Sequence, residues 1–320
     1  MIQVKPGQSG SLTWVVQPIQ ALDVVSSMRG ARIRLDGVDT GLITPATLGC
    51  LEPGTHQVSV SLLGASAGVD SAKTVEVGGA NSRVEFSLEP LPQTRAGLVE
   101  VFTATFCPNC LVADAAAESL WTRRGPQDGY IGLQVHTRWG GIDSLATSTS
   151  IARNLLYGDL EGGGIPAVVF SGGGMIRGAG DNDLERIYDS YSAALDEVRS
   201  SPAVFAIHWL AVNREPGVRA TGRARITCLQ DIAGSDTIQV IAVTYKDGLV
   251  TRGIRGIEAF RHVVREFKVL GDGDEMALNH RGDWADVEMT FDLSGDRRRS
   301  GALWDESLLG LVLFFEYPGG

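Results

Sequence analysis

Two of the four cysteines stand in the run Phe102-Thr103-Ala104-Thr105-Phe106-Cys107-Pro108-Asn109-Cys110. A C-x-x-C between an apolar strand and a helix start has the layout of a dithiol exchange site. The first amides of a helix lack intrahelical acceptors and carry partial positive charge, which stabilises a thiolate. Cys107 is therefore the attacking thiol. Cys110, one turn on, is placed to attack a mixed disulfide at Cys107 and release the product. Pro108 suits the first helical position, where its missing N-H costs nothing. Phe106, Pro108 and Asn109 flank the thiols and count with the surface that meets a substrate.

A second signal is Gly162-Gly163-Gly164-Ile165-Pro166-Ala167-Val168-Val169-Phe170. A proline is tolerated in a strand at its first residue. A cis Ile165-Pro166 bond would let Ile165 present main-chain groups beside the dithiol, where a peptide substrate pairs as an added strand. Other candidates read more plainly. One C-x-x-C supplies two zinc ligands and no second pair exists, so neither a metal site nor a cofactor is expected. Cys50 and Cys228 read as small buried core residues, and His136, at a strand end, as a surface residue. The Gly-rich stretches at 162–164 and 171–174 lack the residues of a phosphate loop and read as turns. Trp209, Trp284 and Trp304, with Phe314, Phe315 and Tyr317, read as sandwich core.

The elements that must position the thiols follow from periodicity. Leu98–Thr103 alternates as a strand and Pro108–Trp121 is helical, its apolar face being Leu111, Val112, Ala115, Ala116 and Leu120. Ile131–His136, Ser148–Tyr157 and Ala167–Phe170 continue the alternation of strand and helix, Met175–Arg177 adds an edge strand, and Asn182 caps a last helix. The order β-α-β-α-β-β-α predicts an α/β layer. Before it, from Ala31 to Leu88, short period-two segments joined by Asp36-Gly37 and Glu52-Pro53-Gly54 predict a small antiparallel sandwich. Glu89-Pro90-Leu91-Pro92-Gln93 reads as a linker. After Pro202, six further strand patterns predict a second sandwich. The expected domains are thus 1–92, 93–201 and 202–320.

Composition narrows the function classes. The 320 residues carry 28 Lys and Arg against 38 Asp and Glu, a net charge of −10, which argues against nucleic acid or an anionic membrane as partner. No apolar run approaches the roughly 20 residues of a membrane-spanning helix. Met1–Gly10 has no apolar core of the kind a secretion signal needs, so the protein is either cytosolic or lacks its leader here.

The strand, the C-x-x-C at a helix start and the X-Pro before the third strand resemble the thioredoxin superfamily over Thr94–Ser200. By position, the resemblance makes Cys107 the attacking cysteine, Cys110 the resolving one and Pro166 the cis-proline. Phe106 stands where thioredoxins often have Trp, and no counterpart of their buried proton-accepting acid is assigned. A longer match, Glu100–Cys110, Gly164-Ile165-Pro166 and Phe260-Arg261-His262-Val263-Val264-Arg265, resembles the family of the twenty-eight-kilodalton outer-membrane protein. The N-terminal segments Gly30–Gly37, Thr44–Leu48 and Leu51–His56 resemble the PEGA module. Together the resemblances imply an α/β and β protein: a thioredoxin-like central domain between a PEGA-like β-sandwich and a C-terminal antiparallel β-sandwich. They imply an extracytoplasmic thiol-disulfide oxidoreductase whose partners are protein or peptide substrates with cysteines and a redox partner protein, any lipid anchor being lost with the leader. The alternative is a non-catalytic surface or adhesion protein in which that domain is a spacer closed by a structural disulfide.

Overall fold

The computed structural model describes residues 20–62, 65–66, 72–78, 82–90, 94–125, 128–158, 162, 164–178, 183–215, 219–232, 238–272, 276–292 and 309–316. They fall into two compact units, residues 1–62 with 66–89, and residues 63–65 with 90–320.

The first unit holds β1 (Gln20–Ser26), β2 (Arg32–Leu35), β3 (Val38–Ile43), β4 (Ala46–Leu51), β5 (Gly54–Ser61), β7 (Ala72–Val77) and β8 (Ser82–Phe86), with the two-residue β6 (Ala65–Ser66) and β9 (Glu89–Pro90) at its margin. One sheet has the order β4-β1-β8 and another β3-β2-β5-β7. The expectation of antiparallel pairing fails at one place, since β1 and β8 are parallel. Asp36 and Gly37 turn β2 into β3 with φ of 49° and 80°, the two left-handed positions of a tight hairpin. Leu22, Val24, Ile33, Val58, Val77 and Phe86 form the buried side.

The second unit begins with β10 (Gly97–Thr103), α1 (Cys110–Arg123), β11 (Tyr130–His136), α2 (Ser148–Leu156), β12 (Ala167–Phe170), β13 (Gly174–Arg177) and α3 (Leu184–Arg199). It continues with β14 (Phe205–Glu215), β15 (Arg219–Cys228), β16 (Gln239–Lys246), β17 (Leu249–Gly253), β18 (Gly256–Phe260), β19 (Val263–Asp272), β20 (Trp284–Asp292) and β21 (Leu309–Glu316). The expected architecture, a thioredoxin-like α/β domain between two β-sandwiches, is not what forms. Strands dominate, and one seven-stranded sheet of order β13-β12-β10-β11-β19-β16-β21 joins the middle of the chain to its end. The junction is the parallel alignment of Gln134 with Val263 and the bond from Gln134 N to His262 O at 2.8 Å.

Physically, the free edge of β11 offers backbone groups that must find partners, and β19 supplies them. The run Val240-Ile241-Ala242-Val243 is buried on both faces, the mark of a sheet interior, whereas a strand with one face in water would alternate. A second sheet, β14-β15-β20, packs on β16 and β21 through Ala224, Ile226, Val240, Ala242, Phe291 and Leu313. The sandwich expected after Pro202 therefore shares one of its two layers with the sheet that carries the thiols.

Helices α1 and α3 cover one face of that sheet, through Leu120, Trp121, Ile187, Tyr191 and Leu195 against Val99, Val101, Val168 and Phe170. The buried side of α1 is Cys110, Ala113, Ala116, Ala117, Leu120 and Trp121; Ala115, assigned to the apolar face from sequence, is exposed. Asn182 lies outside the described residues, and α3 is capped by Asp183, whose side chain accepts from Glu185 N and Arg186 N.

Candidate functional site

Strand β10 is buried along its whole length and delivers the chain at Ala104 to a tight turn. Cys107 N donates to Ala104 O at 3.1 Å, Cys110 N to Cys107 O at 3.3 Å and Leu111 N to Pro108 O at 3.4 Å. Helix α1 therefore starts at Cys110, with Asn109 as its N-cap, and Pro108 stands in the preceding turn, not at the first helical position. The Asn109 side chain makes no capping bond and no acid stands in the first turn. The positive end of the helix thus faces the Cys107 turn without a competing anion.

Cys107 and Cys110 form a disulfide with Cα atoms 5.3 Å apart. Cys110 is fully buried and Cys107 is 8% exposed. The exposed part of Cys107 opens on a cleft of about 310 Å³ between α1 and the β17–β18 hairpin, lined also by Asp114, Glu118, Gln134, Arg255 and Glu258. Phe106 and Ile165 are half-buried and pack against the two cysteines; Pro108 and Asn109 are exposed. The Ile165-Pro166 bond is cis and Pro166 is buried. Of the seven site residues expected from sequence, two form the disulfide, Phe106 and Ile165 pack on it, Pro108 and Asn109 lie exposed between the two cysteines, and Pro166 follows Ile165. Gly141 is required beside Phe106, because a Cβ there would lie 2.9 Å from the ring.

Three groups escaped the sequence reading. Asp114 stands one helical turn after Cys110 and lines the same cleft. Thr103 Oγ1 donates to its Oδ2 at 2.9 Å, while Oδ1 is shut from solvent with no partner. Burial pushes its pKa up to about 6, against the opposing pull of the Thr103 bond and of His136. The i, i+4 spacing from Cys110 was the available signal, masked because an acid in a helix usually faces water.

His136, read as a surface residue, is fully buried, and its Nδ1 lies 2.8 Å from Asp143 Oδ2. Asp143 also accepts from Thr105 N and Leu145 N, both at 2.8 Å, so it ties the turn before Cys107 to the loop after β11. Burial works to raise the Asp143 pKa, but His136 and the two amides outweigh it and hold the carboxylate below its ordinary range.

The third group is Glu100, in the middle of β10. Arg153 Nε and Nη2 donate to its two oxygens at 2.7 and 2.9 Å, and Arg153 Nη1 donates to Glu316 of β21. The two carboxylates and Tyr157 hold the guanidinium more firmly charged despite its burial.

The remaining cysteines divide. Cys228 is buried, its Sγ donating to Gln230 O at 2.9 Å, and burial raises its pKa to about 11. Cys50 is exposed with φ of 60°, against the reading of it as core. Trp284 lies half-buried under Arg225 at 4.3 Å, while Trp209, Phe314 and Phe315 are partly buried, packing against the core and lining a cavity; Trp304, Tyr317 and Gly163 lie outside the described residues. Among the described residues no helix is long and apolar enough to cross a membrane.

The PEGA domain profile matches residues 20–92. No curated protein matches the chain. Among solved structures, a structural-genomics protein from Agrobacterium tumefaciens is 17% identical with a TM-score of 0.43, over 70% of this chain and 95% of that one. HBP35 of Porphyromonas gingivalis is 13% identical with a TM-score of 0.46, over 71% of this chain and 70% of that one. These two likenesses are distant and bear on neither fold nor activity. Residues 20–92, with their Asp36-Gly37 hairpin and two small sheets, are thus similar to the PEGA domain.

Proposed function

We propose that the protein is an extracytoplasmic thiol-disulfide oxidoreductase acting on protein cysteines through Cys107 and Cys110. The observation that carries this reading is the disulfide at the entrance of α1, of whose two cysteines Cys107 lines a cleft at 8% exposure while Cys110 is fully buried. That asymmetry suits one attacking and one resolving thiol. The likeness of Cys107-Pro108-Asn109-Cys110 and Gly164-Ile165-Pro166 to the motifs of the thioredoxin superfamily supports it at the level of those motifs. The PEGA-like module, typical of extracytoplasmic proteins, and the paired cysteines support the compartment.

In the reducing direction, the Cys107 thiolate attacks one sulfur of a substrate disulfide, forming a mixed disulfide and expelling the other substrate sulfur as a thiolate. Cys110 then loses its proton and attacks Cys107 Sγ, so that the Cys107–Cys110 bond forms and the second substrate thiolate leaves. Two electrons pass from the dithiol to the substrate. Asp114, with a pKa near 6 and an unpartnered buried carboxyl oxygen one helical turn after Cys110, takes the Cys110 proton in this scheme. Oxidation of a substrate dithiol is the same sequence reversed. Phe106, Pro108, Asn109, Ile165 and Pro166 form the surface the substrate chain meets.

Full burial of Cys110 and the low exposure of Cys107 favour one other reading, a structural disulfide in a non-catalytic surface protein. Trapping separates the two. Cys110→Ser should retain substrate proteins as mixed disulfides at Cys107, and Cys107→Ser should abolish insulin reduction by dithiothreitol-charged protein. No trapped species, and insulin reduction by both variants equal to that by the parent, would leave the structural reading.

A further inference from the structure

A cavity of about 820 Å³ lies away from the dithiol, bounded by β14 on one side and by β10, β11 and β21 on the other. Its volume is in the range that holds a small organic ligand. Strand β14 shows what the cavity does to packing. Phe205, Ile207 and Trp209 pack against the core of Ala224, Phe291 and Leu313, Phe205 stacking on Phe315 with ring centroids 4.1 Å apart, yet each stays partly exposed along the cavity wall. Gly222 lets Trp209 lie flat across β15, since a Cβ there would stand 2.8 Å from the indole. The part of these three side chains that lines the cavity is apolar surface that a ligand of like character would take out of water.

At the β11 end Tyr130 and His262 line the cavity, and both are neutral, burial raising the Tyr130 pKa and lowering that of His262. The one buried cation on the wall, Arg153, is already engaged by Glu100, Glu316 and Tyr157, so it offers no charge to an incoming anion. Arg95 lies exposed at the rim.

We infer that this cavity binds an uncharged, mainly apolar small molecule. The site is independent of the thiols. Its test uses the neutral fluorophore N-phenyl-1-naphthylamine with the full chain. One saturable site is expected, displaced by decanol and at least tenfold less well by decanoate. Gly173 lines the cavity, has no positive φ, and a Cβ there meets nothing within 4 Å, so Gly173→Phe should fill the space without a clash. Gly173→Phe and Ile207→Lys should each weaken dye binding at least tenfold, whereas Leu210→Lys, on the outer face of the same strand, should leave it unchanged. Thermal unfolding of Gly173→Phe, alike to that of the parent, separates a blocked site from a lost fold. No saturable binding, equal binding by Gly173→Phe and the parent, or displacement by decanoate as effective as by decanol would overturn the proposal.

Discussion

At the scale of single residues, the account turns on Asp114, a carboxyl group kept in a place that disfavours its charge. Its folded pKa of about 6 lies above the ordinary 3.8, so the native state binds its proton more tightly than the unfolded chain does. The stability this confers is present below pH 4 and is lost as pH rises through 6. By linkage the loss at pH 8 is on the order of 1–3 kcal/mol. Asp114→Asn should therefore stabilise the protein by about that amount at pH 8 in urea unfolding and by little at pH 4. It should also slow the resolving step, seen as a longer-lived mixed disulfide. Equal stability of variant and parent at both pH values would place that carboxyl in water. The position of Cys107 and Cys110 at a helix start was legible because the C-x-x-C spacing is local, while Ile165 comes beside them through the pairing of β12 with β10. Asp114, His136 and Asp143 were not legible, because burial of a polar group depends on what folds over it: the β17–β18 hairpin, for one, puts the edge of Phe260 5.4 Å from the His136 ring.

At the scale of elements, two polar clusters fix the segments around the thiols. Asp143 holds the turn before Cys107 through Thr105 N and Leu145 N. Asp143→Ala leaves two buried amides and His136 without their acceptor, and each orphaned group costs about 1–3 kcal/mol. We expect a loss of at least that size in urea unfolding, with faster reduction of the disulfide by dithiothreitol as the turn loosens. Because the folded Asp143 pKa is depressed, its contribution is present above the ordinary carboxylate range and falls away as pH drops through the folded value. The second cluster ties β10, α2 and β21 together. Arg153→Met would strand Glu100, which is fully buried, and should cost about 3–5 kcal/mol; a loss under 1 kcal/mol would contradict the pairing. Helix α3 was legible because Ile187, Tyr191 and Leu195 recur at helical spacing. The face of α1 was misplaced because alanines dominate it and give the pattern little contrast.

At the scale of the whole molecule, the chain read as three domains resolves into two compact units, and the reason is one sheet. Periodicity found the individual strands of the C-terminal third, but strand pairing is non-local, and no residue near Val263 announces that it will align with Gln134. The apolar run of β16 was the clue, since a strand buried on both faces needs cover from two sides. Residues 90–320 should accordingly unfold as one cooperative transition. A fragment of residues 90–201 should show no cooperative transition, because it exposes the β11 edge and loses Glu316, which accepts from Arg153, and Phe260, which packs on His136. A sharp two-state transition in that fragment would contradict the shared sheet. The central claim, that the disulfide serves exchange and not only stability, is tested most directly by its reduction potential, read by alkylation in graded redox buffers. The account predicts a midpoint between about −120 and −270 mV, the span of exchange catalysts. A midpoint below about −300 mV, with Cys107 unreactive toward substrate disulfides after reduction, would contradict it.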